Sequence, residues 1–340
     1  MSDVQQIVMK RSPLRRLTGV QIISTGSYLP DNIVTNEALA RLGCDADWIV
    51  QRTGIRERRH APPEMSTSDM AVYAAERCLD SVDVPRSEID LLVLGTLSPD
   101  YLVPATATAV QDRLGLNCAA MDVSAACAGF MYALVTGMQF VVTGSSKYAL
   151  VIGADTNSRV MNPDDKRTFP LFGDGAGAAL VTKGGPEQGL LAYTLGADGS
   201  GEQLLVRPEG GARSPLNPCR PNGAGWFVRM EGRPVFKWAV RLLEDSSRQV
   251  LEAAGLTTAD VDLWLLHQAN VRILDAATDA LGLDRAKVVT HLDRYGNTSA
   301  GSVPIALDEA LREGRFGRDS LLLMCGFGGG LAWGTTLMRW

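Results

Sequence analysis

The chain has 340 residues, 46% of them apolar and 21% charged, with a formal net charge of −5. That length exceeds one hydrophobic core and points to two domains or one duplicated domain, and the composition excludes a fibre or a disordered chain. The acidic balance, without any dense Lys/Arg block, argues against a nucleic-acid partner; six cysteines with no C-x-x-C pair and three histidines argue against a zinc site or a disulfide framework, and suit a reducing, cytoplasmic setting.

Residues 1–18 are polar and basic, lack an apolar core of signal-peptide length, and read as an extension before a fold that begins near Gly19. An amphipathic helix is expected over Thr67–Ser81, before the apolar strand Ile89–Gly95. Ala119–Val123 reads as a buried strand, Ser124, Ala125 and Ala126 as a tight turn, and Ala128–Val142 as a helix apolar on nearly all faces. That helix is too short to span a bilayer comfortably and carries Thr136, Gly137 and Gln139, so it is expected in a core and not in a membrane. Cys127 therefore falls at a helix N-terminus, where unpaired N–H groups and the helix dipole favour a thiolate. A free cysteine is just as commonly a small buried hydrophobe, and this stretch alone leaves both readings open.

The second half carries Gly189–Gly196, then a Pro- and Gly-rich excursion over Glu202–Trp226 that reads as a lid, a pocket wall or a plain surface loop. An amphipathic helix follows over Val235–Ala254, then the apolar strand Val261–His267, the turn Tyr295–Ser299 and the glycine run Phe327–Gly330.

Self-comparison shows a repeat. Gly19 and Gly26 lie 170 residues before Gly189 and Gly196; Ile89–Gly95 lies 172 before Val261–His267; Phe172-Gly-Asp-Gly lies 155 before Phe327-Gly-Gly-Gly. One such pair means little in an α/β protein, but several in matching order favour duplication. Continuous apolar strands alternating with helices imply parallel pairing covered on both faces, so two halves, 19–184 and 185–340, are expected to pack as layers. Ligands gather at strand ends in such sheets. On the repeat, Cys127 and Asn297 are equivalent, and His267 ends the strand equivalent to the one ending at Gly95.

A cysteine thiolate attacks thioesters or peptide carbonyls, and His and Asn can hydrogen-bond a developing oxyanion. Taken singly, His267 is compatible with a satisfied core histidine and Asn297 with a helix cap. Their joint placement at strand ends favours the catalytic reading. The glycines after Phe327 let backbone amides approach a carbonyl, so one of them is a candidate oxyanion-hole donor beside the Cys127 amide; no dinucleotide fingerprint is present. Cys–His–Asn is also the order of papain-like proteases, but the flank S-A-A-C-A-G-F and the duplicated α/β plan do not suit them. A non-catalytic scaffold that binds acyl chains is the alternative of a different class.

At these motifs the chain resembles the thiolase-superfamily condensing enzymes, specifically the β-ketoacyl-acyl carrier protein synthase III family, from about Gly19 to Trp340. The resemblance rests on Trp48-Ile-Val-Gln-Arg-Thr-Gly-Ile, Asp122-Val-Ser-Ala-Ala-Cys-Ala-Gly-Phe, Phe172-Gly-Asp-Gly-Ala-Gly-Ala, His267-Gln-Ala-Asn, Tyr295-Gly-Asn-Thr-Ser-Ala-Gly-Ser-Val-Pro and Phe327-Gly-Gly-Gly-Leu-Ala-Trp-Gly. It implies a thiolase-like fold, two duplicated βαβαβ-type halves in an α-β-α-β-α arrangement, and a homodimeric assembly as in the family. It implies acylation of Cys127 by acyl-coenzyme A, with acetyl as the expected group. Decarboxylative condensation with malonyl-acyl carrier protein follows, assisted by His267 and Asn297, and starts fatty acid synthesis. An acyltransferase or starter-unit enzyme of a specialised, polyketide-type pathway is the runner-up. By the same resemblance Gly329 completes the oxyanion hole with the Cys127 amide. Trp48 and Arg52, with Lys166 or Arg167, meet the nucleotide end of coenzyme A, while Gly232, Arg233, Phe236, Ala269 and Asn270 line its pantetheine arm. Gln268, Ala269, Asn270, Val271 and Arg272, with Lys237 nearby, face the acidic carrier protein. The coenzyme A thioester is a substrate, and no cofactor or metal is expected.

Overall fold

In the computed structural model, which describes residues 10–216, 223 and 225–340, strands and helices alternate as the apolar strings predict. After β1 (Arg15–Thr18) and β2 (Val20–Tyr28), an excursion of β3 (Ile33–Thr35), α1 (Ala46–Thr53) and β4 (Glu57–Arg59) leads to α2 (Thr67–Asp80) and β5 (Ile89–Gly95). The first half continues through α3 (Thr106–Arg113), β6 (Ala119–Val123), α4 (Gly129–Val142), β7 (Tyr148–Asp155) and β8 (Gly175–Lys183). Then come β9 (Gly189–Ala197), the short β10 (Leu205–Val206) and β11 (Arg229–Met230), α5 (Gly232–Ala254), β12 (Leu263–Leu266) and α6 (Val271–Leu281). The chain closes with α7 (Leu292–Tyr295), α8 (Ser302–Arg312), β13 (Leu321–Gly328) and β14 (Ala332–Arg339).

The two five-stranded sheets run β2-β8-β7-β5-β6 and β1-β9-β14-β13-β12. Moving from β2 to β5 and from β9 to β12 traces one topology twice, with β5 beside β7 and β12 beside β13 parallel and the other pairs along that path antiparallel. Even the β6 position has a remnant, a single parallel bridge from Trp264 to Val288. The repeat is therefore one of structure as well as of sequence.

Between the sheets lie α4 and α8. Phe130, Met131, Leu134 and Met138 of α4 and Val303, Ala306 and Leu307 of α8 pack in one cluster with Leu91 and Val93 from one sheet and Leu263, Leu265 and Met324 from the other. A helix clamped between two sheets has little solvent face, reaching it at Phe140 and Val142 near its end, which is why Gly129–Val142 is apolar on nearly all faces. On the outer faces, α2 and α3 cover Leu92 and Leu94, and α5 and α6 cover Trp264 and Leu266. Leu91 and Val93 turning inward while Leu92 and Leu94 turn outward is the period-two alternation of a strand buried on both sides. Each fully buried Leu or Met contributes roughly 1.5–3 kcal/mol, so the central layer is the main stabilising element. Among the described residues no helix is long and apolar enough to cross a membrane.

One boundary needs correction. Part of the presumed extension belongs to the fold: Arg15–Thr18 pairs with β9, filling an edge of the second sheet that β2 leaves free in the first. Lys10 reaches Asp198 at 2.7 Å and Arg11 reaches Asp245 at 2.8 Å, strapping the segment to the second half. Four residues, two of them basic, are too short to show alternation; the open edge of β9 decides their state. Residues 1–9 of that extension lie outside the described residues. Helix α5 also begins at Gly232, three residues before the expected Val235.

Candidate active site

Strand β6 ends at Val123, and the chain turns through Ser124 and Ala125 into a single helical turn, Ala126–Ala128, that runs directly into α4. Ala126 sits at φ 47, a left-handed conformation that a non-glycine residue adopts at a cost, so the turn is sharp and holds Cys127 at the helix mouth. Cys127 is buried. Of the two readings that the stretch leaves open, the resting state is that of a neutral, buried thiol: burial outweighs the helix end and pushes the thiol up to about 12, with Asp155 adding to the rise and a Ser299 hydrogen bond opposing it.

Asn297 is pinned by its backbone. Its amide donates to the Leu171 carbonyl at 2.8 Å, its carbonyl accepts from Gly173 N–H at 3.0 Å, and the Asn157 side chain donates to the Gly173 carbonyl at 2.7 Å. The Phe172-Gly-Asp-Gly motif thus forms the parallel rung that carries Asn297. The Asn297 Oδ1 accepts the Ser299 amide at 2.8 Å, which commits the acceptor of the carboxamide and leaves its Nδ2 donor for a ligand.

His267 follows β12 and donates its backbone N–H to the Cys325 carbonyl at 2.8 Å. Its ring stands edge-on to Phe327, centroids 5.0 Å apart, and is 1% exposed. Burial first, and His291 second, hold its pKa down to about 3, so the imidazole is neutral near pH 7. The three residues meet through two shared neighbours. Ser299 bonds the Cys127 sulfur at 3.3 Å and Asn297 through its amide; the Phe327–Gly328 pair touches His267 with its ring and abuts Cys127 with its glycine. A Cβ at Gly328 would stand 2.8 Å from the Cys127 nitrogen and 3.2 Å from its sulfur, so only glycine fits. Gly329, the expected oxyanion donor, lies one residue on, beside Ala126 and the Leu205 carbonyl.

The residues assigned to coenzyme A and the carrier protein divide by position. On α1 the Arg52 guanidinium lies 5.1 Å from the centroid of the half-open Trp48 ring, and the Arg52 carbonyl accepts from Asn270 Nδ2 at 3.2 Å. That bond brings Trp48, Arg52, Ala269, Asn270, Val271 and Arg272 into one neighbourhood. Ala269 and Phe236 pack on the same outer cluster, placing Gly232, Arg233 and Lys237 at the adjoining start of α5. Lys166 and Arg167 are exposed on the β7–β8 connection, which Asp164 ties to Arg41 at 3.1 Å. Gln268 is a correction: it is fully buried, donating to the Leu266 carbonyl at 2.8 Å and the Val289 carbonyl at 3.1 Å and accepting the His291 amide at 3.2 Å, so it cannot meet a partner's surface. A residue beside a surface turn gives no sequence sign that its side chain points inward.

A cavity of about 790 Å³ opens beside the nucleophile turn, bounded by Thr67, Leu97, Asp122, Ser124 and, from the Pro- and Gly-rich excursion, Arg207 and Trp226. Arg207 lies 3.8 Å over the Trp226 ring, so the described part of the excursion is a pocket wall; its residues 217–222 and 224 lie outside the described residues. Ser299, Asp155 and Asn157 were not singled out in the sequence, because lone polar residues carry no periodic or spacing signal.

A buried sulfur at a helix mouth between twin α/β halves, beside a neutral imidazole and a carboxamide donor, defines a condensing acyltransferase of thiolase-like fold. The comparisons agree. The family model described as 3-oxoacyl-[acyl-carrier-protein (ACP)] synthase III matches residues 121–199, and its C-terminal counterpart matches residues 251–340. A protein of Rhodopirellula baltica named beta-ketoacyl-[acyl-carrier-protein] synthase III is 51% identical, covering 95% of this chain and 99% of its own length; one of Desulfitobacterium hafniense with the same name is 46% identical, covering 95% and 98%. The solved synthase III of Thermus thermophilus superposes with a TM-score of 0.88 at 39% identity, covering 94% of this chain and 98% of that one. The chain belongs to the β-ketoacyl-[acyl-carrier-protein] synthase III family, the condensing acyltransferases of fatty acid biosynthesis.

Proposed function

We propose that Cys127 takes an acyl group, with acetyl the expected one, from acyl-coenzyme A and passes it to malonyl-acyl carrier protein. In the first half-reaction the sulfur attacks the thioester carbonyl, the carbon–sulfur bond to coenzyme A breaks, and the thiol proton ends on the coenzyme A sulfur. The Cys127 and Gly329 amides hold the transient oxyanion, and the α4 N-terminus favours negative charge at the attacking sulfur. In the second, malonyl-acyl carrier protein loses carbon dioxide, and His267 and Asn297 Nδ2 hydrogen-bond the enolate oxygen. The carbanion attacks the acyl-enzyme; a carbon–carbon bond forms, the Cys127 sulfur leaves and is reprotonated from solvent, and 3-oxoacyl-acyl carrier protein departs. The thioester is a substrate, and the reading invokes no resident cofactor and no metal.

The observation that carries this reading is that Cys127, the buried His267 ring and Asn297 are gathered through Ser299 and the Phe327–Gly328 pair. An imidazole held at a pKa of about 3 by burial donates through N–H without being a cation, which is what stabilises an enolate while leaving malonyl free to lose its carboxylate. Trp48 and Arg52 with Lys166 or Arg167 are assigned to the nucleotide end of coenzyme A, Gly232, Arg233, Phe236, Ala269 and Asn270 to its arm, and Arg272 and Lys237 with Ala269, Asn270 and Val271 to the carrier protein. A cytoplasmic setting fits these substrates. A second copy of the chain is assigned to cover the apolar loop Tyr101–Val103, whose residues are 68%, 78% and 86% exposed.

The test is intact mass after incubation with acyl-coenzyme A. The wild type gains one acyl group, Cys127→Ala gains none, and Asn297→Ala gains one yet loses condensation by about 10²–10³, the measured cost of one oxyanion donor in other enzymes. An acyl adduct on the Cys127→Ala protein sinks the reading.

A further inference from the structure

We propose that Ser299 is a positioning residue for the nucleophile: its hydroxyl donates to the Cys127 sulfur and steadies the charge that collects there as the thioester is attacked. The proposal rests on the reading of Cys127 as the acylated group. Ser299 Oγ lies 3.3 Å from Cys127 Sγ, and both residues are buried. The side chain is aimed by its backbone, which sits at φ 54, a left-handed conformation that serine reaches only under constraint. Three bonds supply the constraint: Ser299 N–H to Asn297 Oδ1 at 2.8 Å, Ala300 N–H to Asp155 Oδ2 at 3.0 Å, and Gly301 N–H to the Thr298 carbonyl at 3.0 Å. Among the described non-glycine residues, positive φ occurs at Ala126, Ser299 and Asp319, and the first two flank the reactive sulfur. Strain held by such pins marks a site where position is the function.

The acidic group that acts on the sulfur is Asp155, from the end of β7, whose own carboxyl is pushed up by burial; burial holds the His267 and His291 imidazoles below their ordinary value. Asp155 Oδ1 accepts Thr96 Oγ1 at 2.9 Å, Leu97 N–H at 2.7 Å and the Ser98 hydroxyl at 2.8 Å, and its Oδ2 accepts the Ala300 amide at 3.0 Å. The Ser299 O–H donates to the Cys127 sulfur, and this bond strengthens as negative charge grows there. During transfer a sulfur–carbon bond forms at Cys127, the thioester carbon–sulfur bond breaks, the thiol proton ends on coenzyme A, and Ser299 keeps its own proton. Burial beside Asp155 raises the thiol pKa, and this hydroxyl is the side-chain donor that opposes the rise.

The experiment compares wild type with Ser299→Ala and Ser299→Gly; both remove the hydroxyl, and glycine also relieves the left-handed strain. Two rates are read: alkylation of Cys127 by iodoacetamide across pH, located by peptide mass, and acylation by acyl-coenzyme A, by intact mass. Losing one hydrogen bond to a charged sulfur shifts its pKa by about one unit, and the greater nucleophilicity of the more basic thiolate offsets part of the tenfold smaller thiolate fraction. Both rates therefore fall roughly three- to tenfold in both variants, with KM for acyl-coenzyme A unchanged. A loosened site would instead expose the sulfur and speed alkylation. Unchanged or faster alkylation in Ser299→Gly overturns the proposal, as does slowing confined to Ser299→Ala. If the wild type forms no acyl adduct, the functional reading fails, while the alkylation rates still judge the hydroxyl.

Discussion

Gly328 is the residue where one added methyl group should do most damage to catalysis. A Cβ there would stand 2.8 Å from the Cys127 nitrogen and 2.9 Å from the Cys127 Cβ, against the 3.4 Å at which such contacts become ordinary. Cys127 or strand β13 must therefore yield by about 0.6 Å at the nitrogen, the difference of those two distances. Neither is soft: β13 is paired on both sides, and the nucleophile turn is held against α4. Displacements approaching 1 Å cost on the order of 10²-fold in rate, and overpacking costs about 1–3 kcal/mol in stability. Gly328→Ala should therefore lose roughly 10²-fold in the rate of Cys127 acylation, followed by intact mass, while its thermal midpoint shows the protein still folded. Gly329→Ala is the matched comparison: its Cβ clears Cys127, meeting the Leu205 carbonyl at 2.9 Å and Ala126 at 3.6 Å, and its amide donor survives, so it should lose less. Gly328→Ala acylating within about twofold of wild type, against the 10²-fold expected, would refute the close approach.

Two more predictions follow from burial. His267 is held neutral in the fold, to about 3, but takes a proton near 6.5 once unfolded, so the unfolded state binds the extra proton as pH falls through that window. Its share of stability is present above about 6.5 and is lost on acidification by roughly 1 kcal/mol per pH unit; urea midpoints of wild type and His267→Ala should converge or cross as pH falls, and parallel curves would contradict the assignment. Gln268→Ala strands the Leu266 and Val289 carbonyls and the His291 amide that its carboxamide serves, at about 1–3 kcal/mol in urea unfolding, with KM for the carrier protein unchanged. A raised KM without lost stability would return Gln268 to the docking surface.

Much of the architecture was legible because burial on both faces leaves a mark. Ile89–Gly95 and Val261–His267 are strings that only a doubly covered strand tolerates, and Ala128–Val142 is a helix that only a central layer can hold. The recurrence of glycine pairs and of the two strands at spacings of 170 and 172 revealed the duplication and, with it, the equivalence of Cys127 and Asn297 at matching strand-to-helix turns. Arg15–Thr18 left no such mark, since its state depends on an edge of β9 formed by residues far along the chain.

The sequence by itself determined the layered fold and its repeat and nominated Cys127, His267 and Asn297 as the candidate trio, because hydrophobic period and motif spacing are local or additive properties of the chain. Only the tertiary structure decided the protonation of those groups, the inward turn of Gln268, the close approach of Gly328 and the placing of Ser299 on the sulfur. Each of these depends on which atoms from distant segments exclude water around a given group, and desolvation is a property of the packed assembly that no stretch of residues carries alone.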